Sequence, residues 1–247
     1  MLIIVDKKIP REAKDKLSAT GNLLELETEG IVYSAISGHP DIFFCKTPLV
    51  LVVSPSLPEN YIHKIKEGKL PFILSMPSST LHFPSSILHP PPPTLQYPES
   101  VRYNAAVNEH YLVHRLEFTD PIILQTCHTQ KKVPVKQAYT RCNLLLLKDD
   151  HYLTSDQGIH KNLYRTGLVG ICVSPEGIVL PGFPNGFIGG AMGLLNDNVY
   201  ITGSLSHYPE GQAVKEFLEA LKYEIVELYE GPLFDGGGIL FMNYKPT

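Results

Sequence analysis

The chain has 247 residues, 43% of them hydrophobic and 19% charged, with a formal net charge of −4. That is enough apolar material for a full core, and too little positive charge for a nucleic-acid footprint. The longest apolar runs, "PLVLVV" and "NLLLL", are far short of the roughly 20 residues that a membrane helix needs.

The opening "MLIIVDKK" reads as a core strand, because basic residues follow the apolar stretch instead of preceding it as in a secretory signal. A cytoplasmic location is expected. A helix, "PREAKDKLSA", and a second strand, "LLELE", come next and lack a hairpin partner. "HPDIFFCKTPLVLVVSPSLPENYIHKIKEG" then reads as strand, turn near Lys46 and Thr47, strand and helix. The prolines and serines of residues 77–98 predict an extended surface excursion.

Three further stretches share one plan: a strand, a polar two-residue turn, a second strand ending in a small or polar residue, and a helix. They are "AAVNEHYLVHRLEFTDPIILQTC", "CNLLLLKDDHYLTSDQGIHKNLY" and "GAMGLLNDNVYITGSLSHYPEGQAVKEFLEALK". Their turns begin at Asn108, Asp149 and Asn196, so the plan recurs after 41 and 47 residues, a spacing typical of modular arrays. Thr119 or Asp120 caps the first helix with Pro121 behind it, and Thr154, Ser155 or Asp156 caps the second. In the third, Val214, Phe217, Leu218 and Leu221 share a face, and Pro209 lies near the first turn. A fourth hairpin is expected in "GICVSPEGIVLPGF", turning at Pro175 to Gly177. The strand missing at the N-terminus is assigned to "GGGILFMNY", so that pairing the two ends of the chain removes exposed sheet edges.

Cys45, Cys127, Cys142 and Cys172 are widely spaced, with no CxxC and no histidine at ligand spacing, so neither a disulfide framework nor a metal site is expected. No motif for a cofactor is present: "GFPNGFIGGAMG" lacks the Lys-Ser/Thr of a phosphate loop and reads as a tight turn. The basic stretch "HTQKKVPVKQAYTR" reads as a solvated strand and loop.

The hairpin–helix plan, together with "SGHPDIFFC", "VKQAYTRCN", "TSDQGI", "GFIGGA" and "FDGGGILFM", resembles an uncharacterised bacterial family with the pentein fold of guanidino-group modifying enzymes. That superfamily includes arginine and agmatine deiminases, dimethylarginine hydrolases and amidinotransferases. The resemblance implies one α/β-propeller domain over residues 1–247, five modules around a central channel, with the substrate pocket in that channel. It also implies a cysteine within a few residues of the glycine-rich segment and a histidine before it. Here Ile239, Leu240, Phe241, Met242 and Asn243 follow Gly238, so standard thiol chemistry on a guanidinium is not expected.

Polar residues at strand ends would converge on such a channel. His39, Asp41, Asn104, Lys136, Ser155, Asp156, His207, Asp235, Gly236 and Gly237 are the candidate ligand-binding residues. Asp41 and Asp156 double as turn or helix caps. Lys136 and Cys142, six apart on an assumed strand, would share a face, with Arg141 on the other. A cation beside a thiol lowers its pKa, which makes Cys142 a candidate displaced nucleophile with His160 or His207 as base. The leading expectation is a protein that binds a small polar ligand, cationic or amide-bearing. Its rivals are a non-catalytic protein-interaction propeller and a hydrolase built on Cys142.

Overall fold

The computed structural model describes residues 1–75 and 95–242. Most of the proline-rich 77–98 excursion lies outside the described residues. The chain opens with strand β1 (Leu2–Asp6), helix α1 (Arg11–Ser18) and β2 (Asn22–Leu26). The single-turn helix α2 (Pro40–Phe43) leads into β3 (Phe44–Lys46), β4 (Leu51–Val53), α3 (Glu59–Glu67) and β5 (Phe72–Leu74). The next unit has β6 (Ala106–Val107), β7 (Tyr111–His114), α4 (Pro121–Thr126) and β8 (Lys131–Pro134). It is followed by β9 (Leu144–Leu146), β10 (His151–Thr154), α5 (Gln157–Arg165) and β11 (Val169–Cys172). The last units are β12 (Met192–Leu195), β13 (Asn198–Ile201), α6 (Gly211–Ala220), β14 (Glu224–Glu227) and the terminal β15 (Leu240–Met242).

These strands make five three-stranded sheets of one design. The middle strand pairs antiparallel with the strand before it, across a tight turn, and parallel with the strand after the helix, as a helical crossover requires. The N-terminal sheet has the same order only because β15 supplies its first strand: Leu2 faces Met242 and Ile4 faces Leu240, antiparallel, while β2 runs parallel on the other side. The two ends of the chain are therefore neighbouring strands, as expected.

Local chemistry sets the pieces. At Lys148–His151 the turn residues Asp149 and Asp150 take φ +54° and +59°, the type I′ geometry that matches strand twist and that aspartate tolerates. Asp120 caps α4, accepting from the Ile122 N–H at 2.9 Å with Pro121 next, and Asp156 caps α5, accepting from the Ile159 N–H at 2.8 Å. Helix α6 begins at Gly211, two residues beyond Pro209.

Two expectations need correction. "GICVSPEGIVLPGF" is not a hairpin: β11 pairs parallel with β10, and Val179 makes a lone parallel bridge to Phe234. In this stretch the sequence plan lacked the parallel strand that follows the helix, and β11 is that strand. Likewise "VKQAYTRCN" is not a strand, because β8 ends at Pro134 and Arg141–Asn143 form one 3-10 turn. The strand alternation assumed between Lys136, Arg141 and Cys142 does not exist.

Packing links the modules in chain order. Each middle strand sends alternate side chains to two different apolar clusters, the period-2 rule of a pleated strand. In β1, Ile3 and Val5 pack with Tyr200 and Leu228, while Ile4 packs with Phe44 and Val53. In β4, Val52 joins Leu112; in β7, Val113 joins Leu144 and Tyr152; in β10, Leu153 joins Val199 and Ile201. The first strands also touch one another, β3 with β6, β6 with β9 and β12 with β15, and the Lys46 ammonium donates to the Phe241 carbonyl at 2.8 Å. Each middle strand ends in or is followed by a buried polar residue: Asp6, Ser54, His114, Thr154 and Thr202.

Candidate functional site

The segment Asp235–Gly238 is buried, and its geometry accounts for the three glycines. The amides of Gly236 and Gly238 both donate to the Gly190 carbonyl, at 3.0 and 2.7 Å, which folds the backbone onto the turn at Gly189–Ala191. Gly237 and Gly238 take φ +71° and +81°, where L side chains are strained. A Cβ on Gly237 would lie 2.4 Å from the Cβ of His39, and one on Gly238 would lie 2.8 Å from Nη2 of Arg141. Only a bare backbone fits between those two side chains.

The bend also places a carboxylate. Asp235 Oδ1 accepts from the Gly237 N–H at 3.0 Å and Oδ2 from the Phe187 N–H at 2.9 Å. Burial raises its pKa to about 6, while those amides and Arg141 hold it back from rising further. A Cβ on Gly190 would come within 1.9 Å of Oδ1, so this glycine too is required by close approach.

Arg141 stands between Asp235 and the α2 segment. Its Nη1 donates to the Gly189 carbonyl at 2.7 Å and its Nη2 to that of Met192 at 3.2 Å, tying the third module to the fourth. Burial lowers its pKa, although the residue keeps partial exposure. Asn104 holds the turn beneath it: Oδ1 accepts from the Arg141 N–H at 2.7 Å. Asn104 is fully buried, and its Nδ2 has no hydrogen-bond partner.

Asp41 faces this group from α2. It is 1% exposed, and neither carboxylate oxygen has a hydrogen-bond partner. Burial, then the Asp235 charge, raise its pKa to about 8, against the pull of Arg141. Asn104 is close enough to counter part of that rise, although the contact falls short of a hydrogen bond. A buried carboxyl with both oxygens unpaired is costly and rare in a settled core.

Around these groups lie Cys142, whose Sγ donates to the Tyr139 carbonyl at 3.4 Å, and Asn143, whose Oδ1 accepts from the Ser155 hydroxyl at 3.2 Å. Burial and the carboxyls of Asp41 and Asp235 push the Cys142 thiol well up. His39 is buried with its Nε2 3.8 Å from Oδ2 of Asp6. Burial drops His39 to about 3 and raises Asp6 to about 6, so at neutral pH the histidine is uncharged and the contact is not an ion pair.

The structure thus brings together His39, Asp41, Asn104, Cys142, Ser155, Asp235, Gly236 and Gly237. It leaves the others elsewhere. Lys136 is exposed beside Arg115 and Glu117, so the cation beside Cys142 is Arg141. His160 bonds the Tyr152 hydroxyl at 2.9 Å, and His207 makes an exposed 2.7 Å pair with Glu230. Asp156 serves as helix cap and accepts from Gln137 Nε2 at 2.7 Å. Arg141, Asp6, Tyr33 and Tyr139 also stand in or beside this group and were not among the sequence candidates for it. The polar residue closing each middle strand was the signal for Asp6. A recess of about 560 Å³ lined by Lys215, Glu219, Lys222 and Glu227 lies apart from all of these.

Among solved structures, the chain is similar to three of dimethylarginine dimethylaminohydrolase. An adduct with 4-chloro-2-hydroxymethylpyridine matches at 11% identity and a TM-score of 0.51. A mutant from Pseudomonas aeruginosa complexed with citrulline matches at 11% and 0.50, and a mutant adduct with S-methyl-L-thiocitrulline at 10% and 0.53. In each, 92% of this chain and 91% of the other are covered, which establishes a common fold and no more. No curated protein sequence matches. The family described as "Family of unknown function (DUF6873)" matches residues 4–89 and 92–240, and this chain belongs to it.

Proposed function

We propose that the five modules close into a single propeller, and that the group around Asp41 is a hub site binding a small ligand with a planar cationic or amide head. The ring reading is supported by the β1–β15 pairing and by apolar clusters that join each module to the next. The observation that carries the ligand reading is the unpaired Asp41 carboxyl beside the unpaired Asn104 amide. Together they offer acceptors for two N–H donors and one donor for an oxygen or nitrogen lone pair.

The site works without a thiol nucleophile. Residues Ile239 to Met242 are apolar, and the Cys142 thiol stays protonated because burial and two carboxyls oppose its ionisation. His160 and His207, the bases suggested by the sequence, have other partners. The chemistry on offer is recognition: Asp41 ionises when a cation arrives and accepts its N–H groups, while Arg141 stays bound to the Gly189 and Met192 carbonyls.

Calorimetric titration with methylguanidinium tests this. Affinity should rise nearly tenfold per pH unit below about 8, because binding needs ionised Asp41, and then level off. Asp41→Asn should weaken binding at least about tenfold and abolish the pH dependence. Equal affinity in the variant, or a flat profile in the parent protein, would contradict the proposal.

A further inference from the structure

Two aromatic side chains near the Asp41 group are about half exposed. Tyr33 and Phe183 are each 47% exposed, and their ring centroids are 5.6 Å apart at a tilt of 46°. Their roots are fixed in the same core: Val32, Ala35 and Ile36 beside Tyr33, and Leu180 ahead of Phe183, pack in one cluster with Tyr139 against it.

The sequence "LPGF" presets Phe183. Its N–H donates to the Leu180 carbonyl at 3.0 Å, with Pro181 second and Gly182 third at φ +87°, the signature of a type II turn. The far end of the loop is clamped as well. Gly186 donates to the Ile178 carbonyl at 2.7 Å, and the next amide, Phe187, is the one held by Asp235. A short, doubly anchored loop with proline on both sides of Gly182–Phe183 thus presents a half-exposed ring packed on Tyr33.

Tyr33 joins that ring to the hub. Its hydroxyl lies near the Tyr139 hydroxyl and within electrostatic reach of Cys142 and Asp41, while its ring is tilted against that of Phe183.

We propose that Tyr33 and Phe183 form the entrance to the Asp41 group, so that a small flat cation reaches Asp41 only past these two rings, whose faces attract it. Aromatic faces draw guanidinium-type cations with modest strength, suited to passage and selection. The cation in this statement rests on the ligand reading above; the entrance itself does not.

Cys142 provides a reporter of access that needs no ligand. The neutral thiol reagent 4,4′-dithiodipyridine is applied to the whole protein, and modification at each cysteine is followed by peptide mass spectrometry. Phe183→Ala should speed modification of Cys142 at least about tenfold, Tyr33→Phe should leave it unchanged, and Cys45 and Cys127 should keep their rates. Methylguanidinium should bind Phe183→Ala and Phe183→Leu roughly two- to fivefold more weakly than the parent, with Phe183→Tyr near parental. An unchanged Cys142 rate in Phe183→Ala, or equal acceleration of all cysteines, overturns the entrance. If Cys142 opens as stated but methylguanidinium binds no form of the protein, the entrance stands and the ligand reading falls.

Discussion

Replacing Asp41 by asparagine should change how stability depends on pH, in a calculable way. In the unfolded chain this carboxyl titrates near 3.8; in the fold burial raises it to about 8. Between those values the folded protein holds a proton that the unfolded chain has released, so stability falls as pH rises, by up to about 1.4 kcal/mol per pH unit. Asp6 and Asp235, raised to about 6, give the same slope at lower pH, and His39, lowered to about 3, gives the opposite slope below 6.5. Starting at pH 6.5 leaves Asp41 as the main contributor among these four. From pH 6.5 to 8 the parent protein should lose about 1.5 kcal/mol relative to Asp41→Asn, which lacks the titrating carboxyl. Urea unfolding followed by tyrosine fluorescence suits a chain with 13 tyrosines and no tryptophan. Parallel losses in the two proteins, or a gain in the parent, would refute the reasoning.

Gly237→Ala should cost about 2 kcal/mol or more, since it combines left-handed strain with a 2.4 Å approach to His39, and chemical unfolding would read the loss. Iodoacetamide at pH 7 should leave Cys142 unmodified in the native protein while partly exposed Cys172 reacts; rapid alkylation of Cys142 would revive the thiol-catalyst reading. Asp156→Ala should cost about 1 kcal/mol through the lost α5 cap, whereas His207→Ala, which breaks only an exposed pair, should cost under about 1 kcal/mol.

Much of the architecture was legible because it rests on local chemistry. Turn residues such as Asp149–Asp150 need left-handed backbone, Asp120–Pro121 starts a helix, and three glycines before an apolar run announced a crowded backbone. The recurring hairpin with a polar strand end gave the repeat, and from it the pairing of β1 with β15. The third strand of each sheet was harder to see. β11 and β14 are short and half-exposed, with little alternation, and their pairing is set by the helix that carries the chain back.

The candidate site's geometry was legible where backbone demands are strong, at Asp235 to Gly237, and where "GHPD" put an acid after a proline. It was misread from Lys136 to Cys142, because "VKQAYTRCN" has strand composition but no partner strand to pair with, and a 3-10 turn aims Arg141 and Cys142 at one place. Arg141 could not be told from a surface arginine by sequence. Its partners, the carbonyls of Gly189 and Met192, lie 48 and 51 residues away. His207 was a candidate from its place just before a helix, but it closes a 3-10 turn six residues past β13 and sits at the surface beside Glu230.

Proton release on binding is the most direct check of the hub as a cation site. Titrating methylguanidinium calorimetrically at pH 7 in two buffers of different ionisation enthalpy counts the protons exchanged. The account predicts close to one proton released per bound cation in the parent protein and none in Asp41→Asn. Binding with no proton release in the parent, or the same release in the variant, would contradict it.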